Sequence, residues 1–285
     1  MCGIIAAASE RNVGKLLVQG LHKMEYRGYD SAGIALHQND KIAHLRTLGK
    51  VNLLEEKMIS EKPKSKLGIA HTRWATHGEP SEENAHPHKS NDRVYIVHNG
   101  IIENYLDLKD FLKQEGYSFT SQTDSELIAH MLEYFLSKGN TMLDAMYLTK
   151  EKLDGAYAIA AIDKEDDTNI IIARSKSPLL IGVGIDEFLA ASDPLAIGQL
   201  TNEFIFLEDG DVAEISSQSY TIYDESKNKV DREITNIDIS SQAMSKGEYK
   251  HFMEKEIYEQ PEAILNTIDG RVGGDDVLDN IFGLG

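Results

Sequence analysis

Cysteine is nearly absent: one thiol, Cys2, in 285 residues. A lone cysteine closes no intramolecular disulfide, so the usage points to a reducing, cytoplasmic setting. Positive charge is scarce too. With 29 basic against 47 acidic side chains the net charge is -18, which repels nucleic acid and anionic membrane, and both are set aside as partners. No apolar run approaches the roughly 18 residues of a membrane helix, and no basic stretch followed by an apolar one marks a signal peptide. There is no Cys-x-x-Cys pair, and His86-Pro87-His88 is a weak metal signal by its spacing, so neither metal nor cofactor is expected. The turn 26–33, Tyr-Arg-Gly-Tyr-Asp-Ser-Ala-Gly, is too poor in glycine for a phosphate loop and reads as structural support.

What is present is an ordinary globular chain with 41% hydrophobic residues, enough for one large domain or two smaller ones. Residues 3–8 are small and apolar and suit a buried strand. Asn12 can cap a helix whose apolar positions are Val13, Leu16, Leu17, Leu21 and Met24. Stretches 32–36, 67–71 and 94–97 read as strands. An amphipathic helix is expected over 101–114, closed by Gly116, and another from Thr123 to Gly139 with Glu126 completing a capping box. A third covers 142–153. Short strand-like runs follow at 156–162, 169–173, 179–183, 204–207, 212–215 and 220–223. Helices and strands come in blocks, which favours an α+β protein with antiparallel sheets. Residues 225–245 are polar and suit a linker. Beyond them Tyr249, Phe252, Met253 and Ile257 mark one face of a short helix expected to end before Pro261. The apolar end at 281–285 suggests a piece cut from a longer protein.

Four features suggest chemistry. Loss of Met1 would leave Cys2 with a thiol and a free α-amine, a nucleophile with its own general base; the plain alternative is a buried thiol opening a strand. In Val97-His98-Asn99-Gly100 the Asn99 amide and the Gly100 N–H can stabilise an oxyanion, although Asn-Gly is also a common turn. The loop His71-Thr72-Arg73-Trp74-Ala75-Thr76-His77-Gly78-Glu79-Pro80 offers Arg73 as a bidentate carboxylate clamp, Thr76 and His77 as hydrogen-bonding groups and the only tryptophan, Trp74, as a cover. The alternative is a surface loop with Trp74 pinned into the core. Asp124 is either a first-turn helix acid or the partner of a ligand ammonium, and with Arg73 it would recognise both charged groups of an α-amino acid.

Taken together, these segments resemble the class II glutamine amidotransferases, which belong to the N-terminal nucleophile hydrolases. Also matching are 25–33, Asn84-Ala85-His86-Pro87-His88, 97–104, Thr123-Asp124, Ser177-Pro178-Leu179-Leu180, Ala191-Ser192-Asp193 and Lys255-Glu256-Ile257-Tyr258-Glu259-Gln260-Pro261. The last points to the sugar-amidating branch of the family. The resemblance implies a four-layer αββα sandwich of the N-terminal nucleophile hydrolase type. It implies that Cys2 attacks the side-chain amide of L-glutamine through a γ-glutamyl thioester, with Asn99 and Gly100 as oxyanion hole. Arg73 would bind the α-carboxylate and Asp124 the α-amine, with Trp74, Thr76 and His77 in a closing loop and Arg27 and His86 supporting the site. Residues 2–224 would be the glutaminase domain, and 225–285 a linker and the start of a sugar-isomerase region. Fructose 6-phosphate would be reached only through isomerase domains absent from this chain, in a homo-oligomeric full-length protein. Two other readings stay open: the same domain serving another acceptor, or a non-catalytic amino-acid-binding module of the same fold.

Overall fold

The computed structural model describes residues 2–239, 249, 252–268, 272–273 and 276–277. They divide into two compact units after Ile239. The first unit opens with β1 (Gly3–Ser9), α1 (Gly14–Lys23), β2 (Ser31–Gln38), β3 (Lys41–Leu48), α2 (Val51–Glu61), β4 (Leu67–Arg73), β5 (His88–Ser90) and β6 (Val94–Ile102). It continues through α3 (Tyr105–Gln114), α4 (Glu126–Ser137), α5 (Met142–Lys150), β7 (Gly155–Asp163), β8 (Ile170–Ser175), β9 (Leu180–Val183) and β10 (Glu187–Ala191). It closes with β11 (Glu203–Phe206), β12 (Val212–Ile215), β13 (Tyr220–Tyr223), β14 (Lys229–Val230) and β15 (Ile234–Asn236).

The strands form two antiparallel sheets, ordered β15-β11-β9-β10-β1-β4-β2-β3 and β14-β13-β12-β8-β7-β6-β5. Successive side chains on a strand face opposite sides, and here both sides are apolar. On β1, Ile5 and Ala7 join Leu17 and Leu21 of α1 and Leu54 of α2. Ile4, Ala6 and Ala8 instead meet Val97, Ala158, Ala160 and Ile172 of the second sheet. The far face of that sheet, with Ile96, Ile159 and Ile171, packs on Leu127, Ile128 and Met131 of α4 and Ala145 of α5. Three apolar layers thus hold four layers of structure, α-β-β-α, as expected.

The boundaries differ from the sequence reading in places, each for a local reason. The stretch 101–114 is not all helix: Ile101 and Ile102 still pair with Ala156 and Gly155 at the end of β6, and the helix starts at Tyr105. The capping box from Thr123 does not form. Glu126 instead accepts from the Ser121 N–H and hydroxyl, both at 2.7 Å, and from the Thr120 N–H, so α4 begins at Glu126. Asn12 lies one residue before the cap position and receives the Gly14 N–H at 3.4 Å and the Ser65 N–H at 3.1 Å. Part of the expected linker is sheet: β14 pairs with β13 and β15 with β11.

In the second unit a helix, α6 (Phe252–Ile268), runs through Pro261 rather than stopping before it. Proline removes one helical hydrogen bond, but the following Glu-Ala-Ile-Leu favours helix. Tyr249 stacks on Tyr258 at 5.6 Å. The stretches 240–248 and 281–285 lie outside the described residues.

Candidate active site

Side-chain alternation builds the site. Cys2 stands directly before β1, in phase with Ile4, Ala6 and Ala8, which fill the layer between the sheets. On β4, Leu67 and Ile69 fill the same layer, and on β6 Tyr95 and Val97 do so. The next positions in phase are His71 and Arg73 on β4 and Asn99 on β6. Where the apolar filling ends, Arg73 and Asn99 face a cleft of about 410 Å³ lined also by Cys2, Gly100 and Asp124, with His71 buried beneath it. Trp74, Thr76, His77, Arg27 and His86 line it as well. Every residue singled out for chemistry therefore reaches one cleft, although they come from strands, a loop and a helix approach far apart in sequence.

Cys2 Sγ receives the Trp74 N–H at 3.2 Å. Burial pushes its thiol above the ordinary value, partly offset by that bond; the thiol thus needs a base to become a nucleophile. The Asn99 amide donates from Nδ2 to the Cys2 carbonyl at 3.3 Å. Asn99-Gly100 is not a turn. Both residues pair inside β6, with Ala158 and Tyr157. Gly100 has φ +132, and a Cβ there would lie 1.9 Å from the Ala156 carbonyl oxygen, so only glycine fits the strand at this point.

Asp124 is buried before α4, and its Oδ2 accepts the Ile102 N–H at 2.8 Å. Its Oδ1 lies 3.5 Å from the Ser125 hydroxyl. Arg73 is only 4% exposed. Its guanidinium donates to the carbonyls of His77, Gly78 and Glu79, and Asp30 Oδ1 lies 3.7 Å away. Asp30 also accepts the Ala75 N–H, so the turn 26–33 ties down the start of the loop. The loop's far end is held by Asn84, which donates to the Glu79 carbonyl at 2.9 Å and accepts the Gln122 N–H at 2.8 Å. Trp74 is not pinned into the core: it is 52% exposed, and its ring lies against Gly28, where a Cβ would come within 2.8 Å of it.

Of the side chains beneath the site the sequence named only His86, as support, and gave His71 no role. His71 is fully buried, and its Nε2 lies 2.9 Å from Asn99 Oδ1. Its ring stacks on His86 at 4.1 Å, and the His86 ring meets His88 edge-on at 4.5 Å. The His98 N–H donates to His86 Nδ1 at 3.2 Å, and His98 Nδ1 pairs with Ser125 Oγ at 2.8 Å. Burial lowers the pKa of His71 to about 3 and holds His86 well below its ordinary value, so these rings stay neutral. Among the described residues no three His, Cys, Asp or Glu side chains gather as a metal site. A histidine cluster at a strand end leaves no periodic signal, and only the dense polar string 71–80 hinted at it.

A four-layer αββα sandwich of two antiparallel sheets, with Cys2 directly before its central strand β1, is the architecture of the glutamine amidotransferase type of N-terminal nucleophile fold. Residues 71–199 match the glutamine amidotransferase domain family. It is 48% identical over its whole length to the glutamine–fructose-6-phosphate aminotransferase (isomerizing) of Vibrio parahaemolyticus, covering 47% of it. It is 49% identical to the enzyme of the same name from Haemophilus influenzae, again covering the whole chain and 47% of the relative. The chain thus spans about half the length of these relatives. Among solved structures, it resembles glutamine phosphoribosylpyrophosphate amidotransferase from B. subtilis, with TM-score 0.69 and 26% identity over 80% of this chain and 50% of that one. A class-II glutamine aminotransferase domain protein from Silicibacter pomeroyi shares the fold, with TM-score 0.52 and 15% identity over 78% of this chain and 99% of that one. The expected family and architecture are both borne out.

Proposed function

We propose that this chain hydrolyses the side-chain amide of L-glutamine to glutamate and ammonia. The observation that carries the reading is the approach of the Asn99 amide to Cys2, Nδ2 to carbonyl oxygen 3.3 Å, at the mouth of a cleft also lined by Arg73 and Asp124. Once Met1 is removed, the α-amine of Cys2 takes the thiol proton, directly or through water, and sulfur attacks the amide carbon. The oxyanion that forms is met by Asn99 Nδ2 and the Gly100 N–H. The tetrahedral species collapses, the proton passes to the leaving nitrogen, and ammonia departs, leaving a γ-glutamyl thioester. Water attacks the thioester, restoring the thiol and releasing glutamate. Arg73 holds the substrate α-carboxylate and Asp124 its ammonium. Trp74, Thr76 and His77 close over the bound amino acid, supported by Arg27 and His86.

By analogy with the relatives' name, the ammonia aminates fructose 6-phosphate to glucosamine 6-phosphate in a longer, homo-oligomeric, cytoplasmic protein. The sugar site belongs to the part of the relatives that this chain does not match. The direct test is glutamate and ammonia release by chain whose Met1 is shown by intact mass to be gone. Cys2→Ala should abolish turnover and leave glutamate binding measurable. Turnover retained in that variant contradicts the reading, and a chain that keeps Met1 should be inert.

A further inference from the structure

We propose that His71 is a positioning residue for the oxyanion hole: its Nε2–H, aimed at Asn99 Oδ1, fixes the carboxamide with its NH₂ end turned toward Cys2. The inference rests on the glutaminase reading, which uses Asn99 but gives His71 no part.

A carboxamide has a donor end and an acceptor end of nearly the same shape, and a half-turn exchanges them. In one orientation Asn99 offers an N–H to a developing oxyanion. In the other it offers an oxygen, which repels that charge. Something must therefore choose, and two contacts do so. Asn99 Nδ2 donates to the Cys2 carbonyl at 3.3 Å, and Asn99 Oδ1 faces His71 Nε2 at 2.9 Å. Turned over, Asn99 would set oxygen against oxygen at Cys2. Its oxygen therefore faces His71, and a neutral imidazole satisfies it only if Nε2 carries the proton. A proton on Nδ1 instead would turn the Nε2 lone pair on Asn99 Oδ1, two acceptors face to face at 2.9 Å, the costlier arrangement. The ring itself is held: it stacks on His86 with an interplanar angle of 28°, and His86 is fixed in turn by the His98 N–H. His71 lies on β4, in the sheet of Cys2, with Ile4 as its strand neighbour. Asn99 lies on β6, in the other sheet. Their bond thus sets the oxyanion donor relative to the nucleophile across the two sheets.

The test has a spectroscopic arm and a kinetic arm. The ten histidines are labelled with ¹⁵N, and the His71 ring is assigned by its loss in His71→Gln. The expected spectrum is the neutral Nε2–H tautomer, unchanged from pH 8 to pH 5. An Nδ1–H tautomer, or a ring that titrates in this range, overturns the proposal whether or not the chain is active. Kinetically, His71→Leu should lower kcat for glutamine roughly tenfold to a hundredfold, less than deletion of an oxyanion donor, with KM changed less than about twofold. His71→Gln, whose side-chain N–H can replace Nε2–H, should recover part of the loss, and His71→Leu should cost little more in an Asn99→Ala background. A raised KM at unchanged kcat, or full additivity with Asn99→Ala, overturns the proposal. Should His71→Leu not fold, His71→Asn, whose shorter amide cannot reach Asn99, takes its place. Chain that shows the Nε2–H tautomer but releases no ammonia contradicts the glutaminase reading and leaves the His71–Asn99 bond standing.

Discussion

The strand-borne and loop-borne halves of the cleft are built differently. Asn99, His71 and Gly100 sit in sheet registers that fix the backbone, and the His71 and Asn99 side chains bond to each other beneath the surface. The segment 74–80 is held mainly at its ends, by Asp30 at Ala75 and by Asn84 and Gln122 at Glu79, while Trp74 stands half out in solvent. Rigid strands suit groups that must meet a transition state, and a loop tethered at both ends suits groups that admit and cover a substrate. Arg73 belongs to both: its backbone ends β4, while its guanidinium gathers the loop carbonyls.

If this division is correct, damage to the strand half should fall on kcat and damage to the loop half on KM. Asn99→Ala should lower kcat by about 10²- to 10³-fold with little change in glutamate affinity, read by steady-state kinetics and by equilibrium binding. Arg73→Lys keeps the charge but loses the bidentate fork, and should raise KM for glutamine roughly tenfold to a hundredfold. A loss confined to kcat there would break the comparison.

Acid should attack the strand half. His71 and His86 have folded pKa values below the unfolded value, that of His71 falling to about 3. Between that value and about 6.5 the unfolded chain therefore binds protons that the folded chain refuses. Their contribution is complete above about pH 6.5 and is lost progressively as pH falls, down to about 3 for His71. Denaturant midpoints from pH 7 to pH 4.5 should fall accordingly, and His71→Gln should flatten the slope. Trp74→Ala should have the smallest effect, a change of a few-fold in KM with an unaltered melting temperature, because so exposed a ring contributes little to the core. A large drop in melting temperature would place Trp74 with the core after all.

Much of this was legible in the sequence, for identifiable reasons. Strands such as 3–8 and 156–162 announce themselves because they are buried on both faces and apolar throughout. By contrast β3 alternates with Lys41, His44 and Arg46, and α2 exposes Leu53 and Ile59, so neither showed a clean period. The helix expected from 101 starts later, at Tyr105, because Gly100 at φ +132 keeps the strand going through Ile102. Asp124, Arg73 and Cys2 were visible as residue types without plain structural partners. His71 was visible only as part of a string, since its role depends on facing Asn99 from the opposite sheet, a long-range contact that no local pattern encodes.

The most direct test of the central claim is covalent labelling. Chain with Cys2 as its first residue is treated with an electrophilic glutamine analogue, and the product is read by intact mass and peptide mapping. One label per chain, on Cys2, prevented by excess glutamine, is the predicted result. A label on any other residue, or none at all on such chain, contradicts Cys2 as the glutamine-directed nucleophile.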